Sequence, residues 1–222
     1  MEFLYETHMH TAEVSGCAIN SAEQQVITYK KRGFTGIIVT DHFINGYTNC
    51  PKNLTWENKM RFIVSGYEAA KAAGDAYGLD VFLGWEFTIE GADFLTYGLD
   101  LDFLLGFPGL DELNIKDYSE IVRKSGGYLA QAHPFREEYY IEHPFAVAPH
   151  LIDGIEVYNA MDTRVANAKA LEFAIENNLP MQAGTDSHGR DDRIFKGIAL
   201  KKKAESIHDI IDAIKAKDVR LI

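Results

Sequence analysis

Short apolar runs alternate with helix-length stretches through most of this chain, and each of five runs stops at a tip of histidine or acid. Residues 3–5 lead to His8-Met9-His10, 36–40 to Asp41-His42, and 80–85 to Glu86. Residues 128–132 stop at His133-Pro134, and 180–184 run into Thr185-Asp186-Ser187-His188. Such brief runs, several rich in β-branched residues, read as strands rather than helices. The segments between them read as helices: 22–32, capped by Ser21 and closed by Gly33, and 56–77, stopped by Gly78. Further helices are expected over 117–124, 162–176 and 206–216, and further strands over 154–158 and 198–200. A fourth strand is expected over 94–101, its end blurred by the apolar stretch 103–107 and Pro108-Gly109.

Strands that alternate with helices pair in parallel through right-handed crossovers, and about seven such units exceed a small open sheet. The expected fold is therefore an α/β barrel. The 222 residues suit one domain over 1–222, and no repeat or low-complexity tract divides them. In a β/α barrel the functional end is the one where strands finish, which is where the histidines and acids gather here.

Lysine plus arginine (22) against aspartate plus glutamate (33) leaves −11, a field that repels nucleic acid and anionic membranes. An anionic substrate would need a local positive feature. No apolar run approaches the roughly 18 residues of a membrane span, and residues 1–10 lack the order of a signal peptide. Cys17 and Cys50 cannot make a disulfide framework, so a cytoplasmic location is expected.

Residues i and i+2 on a strand face the same side, so His8 with His10, and Asp186 with His188, form chelating pairs. A lone histidine at a strand end is usually structural. Here His8, His10, His42, Glu86, His133, Asp186 and His188 accumulate at one end, and imidazole with carboxylate suits zinc, iron or manganese. Seven ligands exceed one tetrahedral site and imply two or three divalent ions, with Glu86, alone on its strand, as the natural bridge. Two metals about 3.5–4 Å apart generate hydroxide and clamp both oxygens of a displacement, which favours phosphoester hydrolysis.

The motifs His8-Met9-His10-Thr11, Thr40-Asp41-His42, Glu86, His133-Pro134 and Gly184-Thr185-Asp186-Ser187-His188 resemble, in order, those of the polymerase and histidinol phosphatase (PHP) family. The resemblance spans about residues 3 to 188. It implies a distorted (β/α)7 TIM-like barrel, a trinuclear metal centre and phosphoesterase activity on a small-molecule phosphate ester. It also implies that His8 and His10 share one metal with Glu86 and Asp186, that Glu86 and His133 hold the second, and that His42 and His188 hold the third. Asp41 is expected to orient a ligand or water, since its side chain should point away from that of His42.

The chain departs from the family at two places. Many members carry a histidine in the loop after the first motif, where Ser15, Gly16 and Cys17 stand, and another opening the fourth strand, where Asp93 stands. Asp93 is a candidate oxygen ligand and Cys17 a candidate thiolate, although a single cysteine is more often a small buried hydrophobe. Arg136 is the candidate phosphate contact, with Arg190 and Arg193 read as surface residues. Phe135, Tyr139, Tyr140 and Phe145 are expected to pack locally, Tyr158-Asn159 sits at a strand end, and His143, His150 and His208 are expected outside the site. Two other readings compete: an amidohydrolase-type C–N hydrolase, whose bridging lysine has no counterpart here, and a non-catalytic metal-binding PHP module.

The ligand count sets a first expectation: the purified protein carries at least two transition-metal ions per chain. Elemental analysis checks it, and one equivalent or less after reconstitution with zinc, manganese or iron removes the multinuclear reading.

Overall fold

A computed structural model describes residues 2–222 except 90, 139, 140, 142, 143 and 190–193. The chain runs β1 (Phe3–Glu6), α1 (Ala22–Lys31), β2 (Gly36–Val39), α2 (Trp56–Tyr77), β3 (Asp80–Ile89), β4 (Ala92–Tyr97), α3 (Leu101–Gly106), α4 (Ile115–Lys124) and β5 (Tyr128–Gln131). It continues through β6 (Gly154–Asn159), α5 (Arg164–Glu176), β7 (Met181–Gly184), β8 (Ile198–Leu200), α6 (Ile207–Lys215) and β9 (Arg220–Leu221). Ser21 and Gln24 form a reciprocal cap that starts α1, and Gly78, in the left-handed region, ends α2.

The strands lie in the order β7-β6-β5-β4-β3-β2-β1-β8-β9, curled into a nearly closed barrel. Parallel pairs join β1 to β2, β2 to β3, β5 to β6 and β6 to β7. Closure comes just beyond β1 and β7, where Met9 bridges Ser187, His10 N donates to Ser187 O at 2.9 Å and Asp186 N donates to His8 O at 2.8 Å. The distorted TIM-like barrel expected from the sequence is thus the fold.

One expected strand differs. β4 covers Ala92–Tyr97 rather than 94–101, and it is antiparallel to both β3 and β5. β3 runs on past Glu86 to Ile89 and turns back at Gly91, which has φ +84°, so no helix separates the two strands. The consequence is positional: the start of β4 lies at the end where its neighbours finish. Leu101–Gly106, within the blurred stretch, is a helix capped by Asp100.

β3 shows how the core aims the site. Trp85 and Phe87 pack outward with Met60, Phe43 and Tyr118, the Phe87 and Tyr118 rings stacking at 3.8 Å, while Glu86 between them turns toward the barrel axis. At the other end of the barrel, Tyr5, Ile38, Tyr97 and Tyr128 pack with Ile210, Ile211 and Ile214 of α6. Among the described residues no helix is long and apolar enough to cross a membrane.

α2 passes so close to the tip of β2 that a Cβ on Gly66 would stand 2.2 Å from Asp41 Oδ2 and 2.3 Å from Thr11 Oγ1. Gly66→Ala is therefore expected to destabilise by about 1–3 kcal/mol despite alanine's better helix propensity. Gly106→Ala, where a Cβ meets nothing within 4 Å, should be neutral or stabilising. Urea-unfolding midpoints check the pair; equal midpoints would mean that α2 stands farther from Asp41.

Candidate metal centre

The first tip is built by its backbone. His8 and His10 leave β1 on the same side, and their Nε2 atoms lie 3.3 Å apart. Each has its other ring nitrogen occupied. His8 Nδ1 donates to the buried carboxylate of Glu156 at 3.1 Å, and His10 Nδ1 donates to Ser15 Oγ at 3.0 Å. The Ser15 hydroxyl itself donates to Asp41 Oδ1 at 2.7 Å, so its oxygen is the acceptor for His10. Both imidazoles consequently present an Nε2 lone pair to the same point.

The acids converge on that point. Glu86 Oε1 lies 3.3 Å from His8 Nε2 and 3.0 Å from His133 Nε2, while Oε2 lies 3.4 Å from His10 Nε2 and 2.9 Å from His42 Nδ1. Asp186 Oδ1 lies 3.4 Å from His8 Nε2 and 3.2 Å from His10 Nε2. His188 Nδ1 donates to the Asp186 carbonyl at 2.8 Å, which leaves its Nε2 free to ligate. Asp93 accepts from Thr88 Oγ1 at 2.6 Å and sits 4.0 Å from His133 Nε2.

Four overlapping groups could hold metal: His8, His10 and Glu86; His8, His133 and Asp186; Glu86, Asp93 and His133; and His10, His42 and His188. All seven motif residues and Asp93 are therefore brought together. The groups differ from the sequence expectation in that His10 also joins His42 and His188, and His133 also joins His8 and Asp186. The donor chemistry fits cations: lone pairs facing one another beside two carboxylates are tolerable only with positive charge between them. His42 Nδ1 supports this, being buried beside Glu86 yet outside hydrogen-bond geometry.

The electrostatics agree. Burial would raise Glu86 and Asp186, but the neighbouring His8, joined by His42 at Glu86 and by Arg136 at Asp186, holds both well below the usual carboxylate range. Burial and the adjacent His42 and His188 push His10 down to about 3, which keeps it a neutral donor. Burial and the Glu86 charge raise Asp93. Burial also opposes ionisation of Cys17, yet hydrogen bonds with His188 and His42 bring its thiol down to about 7.

Asp41 points away from the cluster, accepting from Thr11 N at 2.7 Å and from Thr11 Oγ1 and Ser15 Oγ, and burial raises it to about 6. Arg136 is placed otherwise than expected for a waiting phosphate contact. Its Nε donates to Asp162 at 2.7 Å, and its Nη2 donates to Asp186 Oδ2 at 2.6 Å and Asn159 Oδ1 at 3.0 Å. The guanidinium thus occupies the Asp186 oxygen that faces away from the histidines. A cleft lined by Asp93, His133, Pro134, Arg136, Ile141 and Phe145 opens beside the centre.

Of the remaining sequence candidates, Phe135 packs edge-on against Phe173, whereas Phe145 is exposed. Tyr158 is exposed beneath the Lys196 ammonium, while its neighbour Asn159 turns in and donates to Glu156 at 2.8 Å. Tyr139, Tyr140, His143, Arg190 and Arg193 lie outside the described residues. Two buried acids escaped the sequence reading. Glu156 also accepts from His133 N, and Glu6 accepts from His8 N, Thr185 N and Tyr29 OH.

No family model and no curated protein matches the chain. Solved structures do. A two-domain protein from Bacteroides vulgatus containing a predicted PHP-like metal-dependent phosphoesterase aligns with TM-score 0.75 at 15% identity, over 100% of this chain and 65% of that one. An amidohydrolase from Chromobacterium violaceum, with bound sulfate and no metal, aligns with TM-score 0.60 at 13% identity, over 95% and 96%. A lesion-specific endonuclease from Pyrococcus furiosus aligns with TM-score 0.60 at 15% identity, over 100% and 58%. The chain thus spans less than two thirds of the Bacteroides and Pyrococcus proteins it matches.

Glu156 should tune the centre through His8 without touching a cation. Glu156→Gln is expected to weaken metal affinity about 10–100-fold, whereas Glu172→Gln, exposed on α5, should not. Competition with a chromophoric chelator measures both; equal affinities would separate Glu156 from ligand orientation.

Proposed function

We propose that this chain, which has the fold of PHP-like metal-dependent phosphoesterases, is a metal-dependent hydrolase of small phosphate esters with a di- or trinuclear centre. The observation that carries the reading is Glu86, whose two oxygens face His8 and His133 on one side and His10 and His42 on the other. A carboxylate so placed serves adjacent cations at once. In this reading His8, His10, Glu86 and Asp186 hold one ion, Glu86, His133 and Asp93 a second, and His42 and His188 a third, drawn from zinc, manganese or iron. Bound there, the ions supply an activated water and neutralise phosphoryl charge.

The protein's own residues do the positioning. Glu156 and Ser15 hold His8 and His10 in the tautomers that face the centre, and Asp41 fixes Ser15. Arg136 restrains Asp186 so that one oxygen serves the centre and the other the guanidinium. With Arg136 engaged and a net charge of −11, a phosphate ester must find its positive charge in the ions. The same charge disfavours a nucleic-acid substrate for this chain. The amidohydrolase reading draws on the Chromobacterium likeness, but the central bridging position here is a glutamate.

The protein is expected to hydrolyse an activated aryl phosphate, to lose turnover reversibly on chelation, and to act poorly on carboxyl esters and cyclic amides. Glu86→Gln should abolish that turnover. Steady-state assays with defined metals check this. Amide cleavage without phosphate-ester cleavage by a metal-loaded preparation favours the amidohydrolase reading, and silence toward both favours a non-catalytic module.

A further inference from the structure

The loop that joins β2 to α2 runs against His42. Gly46 makes the approach possible, since a Cβ there would stand 3.2 Å from both Cβ and Nδ1 of His42 and 3.1 Å from Thr88 Oγ1. The loop is pinned on two sides. Asn45 Nδ2 donates to Thr88 O at 2.7 Å, while Gly16 N donates to Tyr47 O and Asn49 N to Val14 O, each at 2.8 Å. Tyr47 follows the glycine, and its ring lies against Gly16, where a Cβ would stand 3.3 Å from Tyr47 Cε2 and Cζ.

Tyr47 is nonetheless the most exposed large apolar side chain among the described residues, at 66%; there its ring stacks on no other ring and its hydroxyl has no hydrogen-bond partner. Ile19, 56% exposed, stands beyond Gly16 on the neighbouring loop, and its amide donates to His188 O at 2.9 Å. The polar side chains nearby are committed. Thr48 Oγ1 donates to Val14 O and accepts from Cys50 N, and the amides of Asn45 and Asn49 donate to Thr88 O and Ala12 O. What these two loops leave open beside His42 and His188 is an aromatic face and an aliphatic side chain, suited to a flat apolar group and unsuited to a polyhydroxylated one.

We infer that Tyr47 is a specificity-determining residue, a platform on which the aromatic alcohol part of the substrate stacks while its phosphate reaches the centre. The inference rests on the phosphoesterase reading above and deepens it by naming the substrate class, aryl phosphate esters in preference to sugar phosphates. Tyr77 is the internal control. It too is exposed, at 45%, but it ends α2 where β3 begins, at the other end of the barrel, and donates to Glu23 Oε1 at 3.1 Å.

The test measures binding of phenylphosphonate and methylphosphonate, which resist hydrolysis, to protein loaded with zinc or manganese, by isothermal titration calorimetry. Wild type should favour the phenyl compound, and Tyr47→Ala should cut that preference about 3–10-fold, whereas Tyr47→Phe and Tyr77→Ala should keep it. The ratio of kcat/KM for phenyl phosphate over glucose 6-phosphate should fall likewise with Tyr47→Ala. A phenyl preference that survives Tyr47→Ala, with phenyl phosphate still hydrolysed, overturns the platform and leaves the hydrolase reading standing. Wild-type protein that binds neither phosphonate and turns over neither ester overturns both.

Discussion

Carboxylates buried at the end of a barrel cannot stand alone, and satisfying them organises this molecule. Glu6, Asp41, Glu86, Glu156 and Asp186 are all at most 2% exposed. Leaving one such charge without its partners costs about 3–5 kcal/mol. Glu6 meets the requirement by gathering the amides of His8 and Thr185 and the hydroxyl of Tyr29, tying the first strand to the last ligand segment and to α1. Glu156 gathers His8, the His133 amide and Asn159, and Asp41 gathers Thr11 and Ser15. Glu86 and Asp186 are left facing imidazoles. The acids that hold the backbone thus place the acids that face the centre.

The reversal of β4 belongs to the same logic. A parallel strand carrying Asp93 near its start would have delivered that residue to the α6 end of the barrel. Because β3 and β4 form a hairpin, Asp93 arrives beside His133 and Glu86, and Thr88 across the ladder fixes its carboxylate. The hairpin also lengthens β3, so that Glu86 is gripped within a ladder rather than hanging from a strand end, as suits a residue shared between neighbouring groups.

Much of this was legible in the chain. The i, i+2 pairs His8/His10 and Asp186/His188, and the abrupt ends of apolar runs at His42 and His133, carry direct signals because ligands at strand tips interrupt hydrophobic pattern. Helix α2 was legible to the residue, from its length and Gly78. Glu6 and Glu156 were not, since a single acid within a short strand reads like any residue on a solvated face; only the closed barrel turns that face inward. Arg136 read as a phosphate contact for the same reason: Asp162 and Asp186 come to it through tertiary packing, at separations of 26 and 50 residues. The direction of β4 hung on one turn at Gly91 that composition does not distinguish from a loop.

The seam at which the barrel closes has one more consequence. One edge of β1 is divided: Phe3–Tyr5 zip to β8, and only beyond them does the chain touch the segment after β7, through Met9 and Ser187. The two lips of that seam carry His8 and His10 on one side, and Asp186 and His188 on the other. A cation held across them would also clasp the ring, so binding at the centre and closure of the cylinder would be thermodynamically linked.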